Sequence, residues 1–152
     1  MIKITLYNSQ RDLSISLPQV RKVVSFLLKD LKISTQEIIF HFVTEKQICR
    51  IHKDFFNDPS PTDCITFPID PVQEESNPHH LLGEAFICPK TALDYAKRHG
   101  LDPYRELYRY VVHCMLHLIG YEDQNSESRA RMKRKESTCL KKAIQALNAI
   151  KN

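Results

Sequence analysis

Residues 111–123 read VVHCMLHLIGYED and combine two histidines with an almost continuous apolar run that ends at a glycine. On a helix that advances about 100° per residue, His113 and His117 lie one turn apart and about 40° from each other around the axis. Both imidazoles can therefore reach one metal ion. Because apolar residues lie on nearly every side of the two histidines, the segment predicts a buried central helix. A metal site at the end of this helix is a hypothesis that depends on a further ligand.

The segments before and after this helix alternate between strand and helix patterns. Clustered or alternating apolar and β-branched residues predict strands at residues 2–6, 38–43, 64–67 and 85–88. Apolar spacing and capping signals predict helices at about 18–31, 44–55, 89–99, 102–119 and from about 126. Residues 57–63, with two prolines, and the polar residues 70–80 are predicted loops. The predicted fold class is α/β (α+β), with about four strands in a mixed sheet packed with about five helices.

The size and composition of the chain fit one globular domain. Its 152 residues, 42% hydrophobic and 26% charged, are predicted to form a single domain over residues 1–152. This composition excludes a disordered or low-complexity protein. The sequence lacks a run of about 18 apolar residues and an apolar signal region, so we expect a cytoplasmic protein with no membrane partner. The net charge of +4 permits a polyanionic partner without demanding one.

The five cysteines, at positions 49, 64, 88, 114 and 139, form no C-x-x-C pair and are odd in number. This pattern is typical of neither a disulfide framework nor a zinc ribbon. We therefore expect small buried thiols with no disulfide partner.

The chain beyond Gly120 carries two acidic residues, Glu122 and Asp123. Gly120 is expected to end the helix and to turn an acidic residue back toward the histidine face. Two imidazoles and one carboxylate form a three-ligand site with an open position, which is typical of hydrolytic zinc sites. In the alternative interpretation, the histidines are core residues that hydrogen-bond to backbone carbonyls.

Residues 113–123, HCMLHLIGYED, resemble the motif H-G-x-L-H-L-x-G-Y-D-H of the YbeY endoribonucleases, a family that matures bacterial ribosomal RNA. Residues 61–68, PTDCITFP, resemble the P-T-D-V-L-S-F-P block of that family, and residues 82–84, LGE, are similar to the L-G-D that follows it. Met132 and Glu136 match the family's M-x-x-x-E. The matching blocks occur in the family's order and spacing and span most of the chain.

The resemblance implies one Zn²⁺ per chain, held by His113, His117 and the residue at position 123. The family has a histidine at this third position, whereas this chain has Asp123, which is also an accepted zinc ligand. Glu122 is the alternative third ligand and a candidate catalytic residue beside the water that the metal would activate. Because two histidines and one carboxylate also hold non-haem iron, the identity of the metal stays open.

The resemblance also implies a single-strand-specific, metal-dependent endoribonuclease that acts in late 16S rRNA 3′-end maturation and ribosome quality control. Its partners would be ribosomal RNA and the ribosome or ribosomal proteins. The last helix carries a basic cluster that could bind RNA, and the alternative is that it forms an ordinary solvated helix face. Arg105 and Arg109, on the histidine helix, are expected to be surface residues. The RNA-binding candidates are Lys53, Arg129, Arg131, Lys133 and Arg134.

One departure from the family pattern concerns an arginine before the P-T-D block, which aligns with Phe56. Lys53 or Arg50, on the same predicted helix, could replace its phosphate contact. Two other functions stay open: a non-catalytic RNA- or ribosome-binding assembly factor with a structural metal, and a metal hydrolase of another substrate on the same scaffold. Peptide hydrolysis is disfavoured, because zinc proteases place a glutamate after the first histidine and this chain has Cys114 there.

Overall fold

In a computed structural model that describes residues 1–72 and 77–151, four strands and five helices form one mixed α/β fold. The predicted fold class and the predicted numbers of strands and helices are confirmed for these residues. Residues 73–76 of the predicted loop at 70–80 lie outside the described residues. The strands are β1 (Lys3–Asn8), β2 (Glu37–Phe42), β3 (Cys64–Pro68) and β4 (Leu81–Ile87). The helices are α1 (Leu17–Asp30), α2 (Glu45–Phe56), α3 (Pro89–His99), α4 (Pro103–Leu118) and α5 (Ser126–Lys151).

The sheet is mixed and has the strand order β1-β2-β4-β3. β2 runs parallel to both β1 and β4, whereas β3 runs antiparallel to β4. β4 begins at Leu81 and not at the predicted residue 85, because Leu81 pairs with Glu37 and Gly83 pairs with Pro68. The glycine concealed this extension, since a glycine inside a strand weakens the strand pattern.

Local sequence signals set the ends of the helices. Thr44 and Gln47 form a reciprocal capping box at the start of α2, with hydrogen bonds of 3.1 and 2.9 Å. The side chain of Asp102 caps α4 by accepting a backbone hydrogen bond at 3.0 Å. Gly100 ends α3 with a φ of 64°, and Gly120 follows α4 with a φ of 106°. Both angles lie in the region that favours glycine, so these residues act as helix stops.

Helix α4 is the central element of the core. It contacts the helices α1, α3 and α5 and the strands β3 and β4. Most of its side chains are buried, in the same hydrophobic core as the fully buried Ile38, Phe40 and Phe42 of β2. Because hydrophobic contacts surround α4, they decide which of its faces can carry polar groups to the surface.

Two further observations concern the cysteines and the length and polarity of the helices. All five cysteines are free thiols, and Cys88, Cys114 and Cys139 are buried among hydrophobic residues. Within the described residues, every helix is too short or too polar to span a bilayer.

Gly83 allows β4 to approach α4 closely beside the second histidine. A Cβ atom at position 83 would lie 2.5 Å from Leu118 Cδ2 and 2.7 Å from the carbonyl oxygen of Phe67. Contacts this short require the helix or the neighbouring strand to move. Since Leu118 follows His117, the close approach also fixes where the second histidine sits relative to the sheet.

The substitution Gly83→Ala is expected to lower the free energy of unfolding by about 1–3 kcal/mol, because the added methyl group overpacks this contact. The φ angle of Gly83 is not positive, so the loss reports crowding and not backbone strain. Urea denaturation followed by circular dichroism measures the change. A variant as stable as the parent would contradict the close approach of α4 to the sheet.

Candidate metal centre

The end of α4 brings three candidate ligand atoms together. His113 Nε2 lies 3.1 Å from His117 Nε2, and His117 Nε2 lies 3.5 Å from Asp123 Oδ2. One ligand atom from each residue lies within 4.8 Å of the other two. The left-handed turn at Gly120 returns the chain so that Asp123 faces the histidines. The structure therefore contains a possible His-His-Asp metal site, and the ligand role of these residues stays a prediction.

The hydrogen bonds of both imidazoles leave their Nε2 atoms available to a metal. His117 Nδ1 lies 3.0 Å from the carbonyl oxygen of Tyr121, which can only accept, so Nδ1 carries the proton of the neutral ring. His113 Nδ1 lies 2.8 Å from Glu136 Oε2 and donates to that carboxylate in the same way. Each neutral ring then has a lone pair on Nε2. Two Nε2 atoms that both lack a proton cannot hydrogen-bond to each other. A metal ion beside them can bind the lone pairs of both.

The spacing of these atoms fits a tetrahedral ion. Zinc holds imidazole nitrogens and carboxylate oxygens at about 2.0–2.2 Å, and two such ligands at a tetrahedral angle are about 3.3–3.5 Å apart. The observed separations of 3.1 and 3.5 Å are close to this range. The side chains of His113, His117 and Asp123 are 25%, 24% and 44% exposed, so solvent reaches the site. Three ligands with access to solvent are typical of a catalytic metal site.

A network of buried charges holds the His113 ring from the side opposite its Nε2. Glu136 on α5 accepts from His113 through Oε2 and from Arg109 Nη1 through Oε1, the latter at 2.9 Å. Arg109 also donates to Glu106, with its Nε at 2.9 Å. Burial raises the pKa of Glu136, but hydrogen bonds from His113 and Arg109 outweigh burial and hold this pKa below its ordinary value. Glu136 is therefore ionised and fixes the orientation and tautomer of His113.

Sequence reasoning missed this network. It expected Arg109 to be a surface residue, whereas the Arg109 side chain is 35% exposed and its guanidinium binds two buried carboxylates. Two signals were present: the three-residue spacing of Glu106 and Arg109 on one helix, and the match of Glu136 to the M-x-x-x-E pattern. Neither signal shows by itself that α4 and α5 bring the three groups together.

The basic candidates on α5 divide between two sides of the helix. Arg129 and Lys133 line a cleft that also includes His113 and Asp123. Arg131 and Arg134 are exposed and do not line this cleft, and Arg131 instead lies 3.4 Å from Glu127. The acidic candidate Glu122 is exposed and is not among the possible ligands found in the described residues.

Phe56 occupies the position at which the family pattern has an arginine. Its ring is at the end of α2, is 54% exposed and lies 6.2 Å from the ring of Phe67 and 5.7 Å from that of His52, between centroids. Lys53 and Arg50 are exposed on the same helix, and neither lines the cleft beside His113. A substitute for the family arginine is therefore not evident among the described contacts.

Comparisons with known proteins place this site in a family context. A family model described as Endoribonuclease YbeY matches residues 5–144, which include all three candidate ligands. The chain is 41% identical over 136 residues to the Endoribonuclease YbeY of Protochlamydia amoebophila (strain UWE25), with 90% of this chain and 89% of that protein covered. It is 42% identical over 142 residues to the Endoribonuclease YbeY of Chlamydia felis (strain Fe/C-56), with 91% and 89% covered.

A solved structure shares the fold. The solution structure of TM1509 from Thermotoga maritima superposes with a TM-score of 0.66 over 96% of this chain and 92% of that chain. At 21% sequence identity, this likeness supports the fold alone.

Replacing Glu136 by glutamine is expected to weaken metal binding by about 10–100-fold, because an amide holds the His113 ring less strongly than a carboxylate does. Glu106→Gln is a matched control, since this buried glutamate contacts the same Arg109 and its described contacts include no candidate ligand. Zinc titration by isothermal calorimetry measures both affinities. Equal effects of the two substitutions would contradict a specific role of Glu136.

The third ligand can be tested by a pair of neighbouring substitutions. Asp123→Ala is expected to weaken zinc binding by at least about 100-fold, because it removes a direct ligand and not only a supporting group. Glu122→Ala should leave the affinity unchanged, and Asp123→His, which introduces the family's residue, should retain binding. The same calorimetric titration compares the three variants. Loss of affinity in Glu122→Ala but not in Asp123→Ala would assign the third ligand to Glu122.

Proposed function

This chain belongs to the YbeY endoribonuclease family, and on that premise we propose that it is a metal-dependent endoribonuclease that hydrolyses phosphodiester bonds of single-stranded RNA. The observation that supports this most strongly is the convergence of His113, His117 and Asp123 at a point that solvent reaches. A cleft with a volume of about 550 Å³ lies beside this point and is lined by His113 and Asp123.

The residues of the chain position the reacting groups. When bound at this site, a zinc ion supplies Lewis-acid chemistry, which polarises a phosphoryl oxygen and makes water more acidic near neutral pH. Glu136 and the Tyr121 carbonyl hold the two histidines in the tautomer that can bind a metal. Glu122, exposed beside Asp123, is the candidate to accept a proton from the attacking water.

We further propose zinc as the metal, with one ion per chain, and ribosomal RNA as the substrate. The reaction would serve late 16S rRNA 3′-end maturation and ribosome quality control in the cytoplasm, in contact with the ribosome or ribosomal proteins. Residues 1–152 would act as one catalytic domain. Family membership supports these assignments, and the basic residues beside the candidate metal site support an RNA substrate. Lys53, Arg131 and Arg134 stay candidates for RNA contacts outside the cleft.

The substitution His117→Ala is expected to reduce cleavage of a single-stranded RNA oligonucleotide by more than about 100-fold, because it removes a proposed ligand and with it the metal. Binding of the same RNA should be largely unchanged. Chelation of the metal in the parent protein should also stop cleavage, and added zinc should restore it. Gel analysis of end-labelled RNA measures cleavage, and fluorescence anisotropy measures binding.

His79→Ala is the matched control for this experiment, because it removes an exposed histidine from the loop segment 77–80, directly before β4. Cleavage that persists in His117→Ala would indicate a contaminating nuclease. A zinc-loaded parent that binds RNA without cleaving it would favour the assembly-factor alternative.

A further inference from the structure

A groove between α4 and α5 begins at the candidate metal centre and continues toward the start of α4. His113 and Asp123 line one end of it, and Leu101 and Asp102 line the other. Arg105 and His113 are eight positions apart on α4, which corresponds to about 12 Å along the helix axis. The groove volume of about 550 Å³ lies within the range of roughly 300–1,000 Å³ that is typical of small-ligand pockets.

Most of the charged groups in this groove already have partners. Arg109 is shared between Glu106 and Glu136, so its charge is neutralised by two carboxylates. Asp102 caps α4, and Asp123 faces His117. These contacts account for every acidic residue that lines the groove.

Three cations of the groove have no such partner. Arg105, Arg129 and Lys133 are exposed, and in the described part of the chain none of them forms an ion pair with a carboxylate. Arg129 Nε donates to the backbone oxygen of Asp123 at 3.3 Å, which holds its guanidinium beside the candidate metal centre. Arg105 reaches the groove from α4, whereas Arg129 and Lys133 reach it from α5, one turn apart. Among the described residues, the groove therefore has cations without an ion-pair partner on both helices.

The floor of the groove is apolar and includes an aromatic ring. Met132 and Leu140 are buried beneath it, and Leu101 and Tyr95 form its far wall. The Tyr95 ring is partly buried and lies 4.1 Å from the ring of His99, between centroids. An apolar floor with a cationic rim matches an unpaired nucleotide, whose base is flat and apolar on its faces and whose phosphate is anionic.

We propose that this groove binds an unpaired nucleotide next to the phosphodiester bond that is cut. Its base lies against Tyr95 and Leu101, above the buried Met132 and Leu140, and the adjoining phosphates contact Arg105, Arg129 and Lys133. This assignment rests on the proposed function. It provides a physical reason why the protein would prefer single-stranded RNA. A paired base is held in its duplex and cannot enter the groove.

The test is the salt dependence of RNA binding. A short fluorescein-labelled single-stranded RNA is titrated with the full chain in a His117→Ala background, so that the RNA stays intact. For single strands, log K falls with log[salt] by about 0.7 for each phosphate contact. The triple variant Arg105→Gln, Arg129→Gln, Lys133→Gln is therefore expected to make the slope shallower by about 2.

A matched triple variant controls for total charge. Arg11→Gln, Arg98→Gln, Lys141→Gln removes the same number of charges from exposed positions that do not line the groove. Its slope should change by less than about 0.7, the value for one contact. Equal changes in the two triple variants would overturn the proposal, because binding would then follow net charge alone. If the groove variant does not fold, the single variants Arg105→Gln and Lys133→Gln should each change the slope by about 0.7.

A second measurement tests the place of the base. In the same His117→Ala background, this RNA annealed to its complement should bind at least about 10-fold more weakly than the single strand, since stacking of one base is worth about that factor or more. Equal affinity for the duplex would overturn the base-binding part of the proposal.

A cleavage assay on the protein with His117 intact distinguishes failure of the proposed function from failure of the groove assignment. If that protein cleaves RNA and the two triple variants bind alike, the groove assignment fails and the proposed function stands. If that protein does not cleave RNA and the groove triple alone changes the slope, the proposed function fails and the groove stands as a nucleotide-binding site.

Discussion

The hydrogen bond from His113 to Glu136 connects α4 to α5, and the geometry of the candidate metal site depends on this contact. Helix α4 alone places the two histidines one turn apart, but an unrestrained imidazole rotates and exchanges tautomers. Glu136 Oε2 holds the His113 ring at 2.8 Å, and Arg109 holds the other carboxylate oxygen at 2.9 Å, so the carboxylate itself is fixed. The buried hydrophobic surface of α4 supplies the rigid backbone on which this arrangement rests.

The balance of charge around the site favours a cation at Nε2 of the histidines. Burying charged groups costs free energy, and Arg109 offsets this cost only in part, because it lies between two carboxylates. One negative charge therefore remains beside His113 and strengthens its ring as a donor. If Asp123 is a ligand, its carboxylate makes the metal a weaker Lewis acid than a third imidazole would, and leaves its water less acidic. The cations at the rim of the groove lie where they can offset this excess of negative charge for an anionic substrate.

The sequence was sufficient for features that depend on neighbours within about one helical turn. The spacing of His113 and His117 predicted a shared helix face, and the capping box at Thr44 predicted the start of α2. Gly120 predicted the turn that carries an acidic residue back to the histidines, since a positive φ is inexpensive only for glycine. The strand patterns predicted a four-stranded sheet, although Gly83 concealed the first part of β4.

The tertiary structure decided which distant residues meet. Glu136 lies 27 positions from Arg109 and 23 from His113, and no local pattern shows that these side chains share one network. Likewise, Arg129 and Arg131 are alike in sequence, but only the first lines the groove beside the candidate metal site. The sequence by itself determined the elements, the histidine pair and the return of an acidic segment, because steric and hydrogen-bonding rules act along the chain. The packing of α4 against α5 decided the support of His113 and the side of α5 that faces the site, because contact between two helices depends on the whole core.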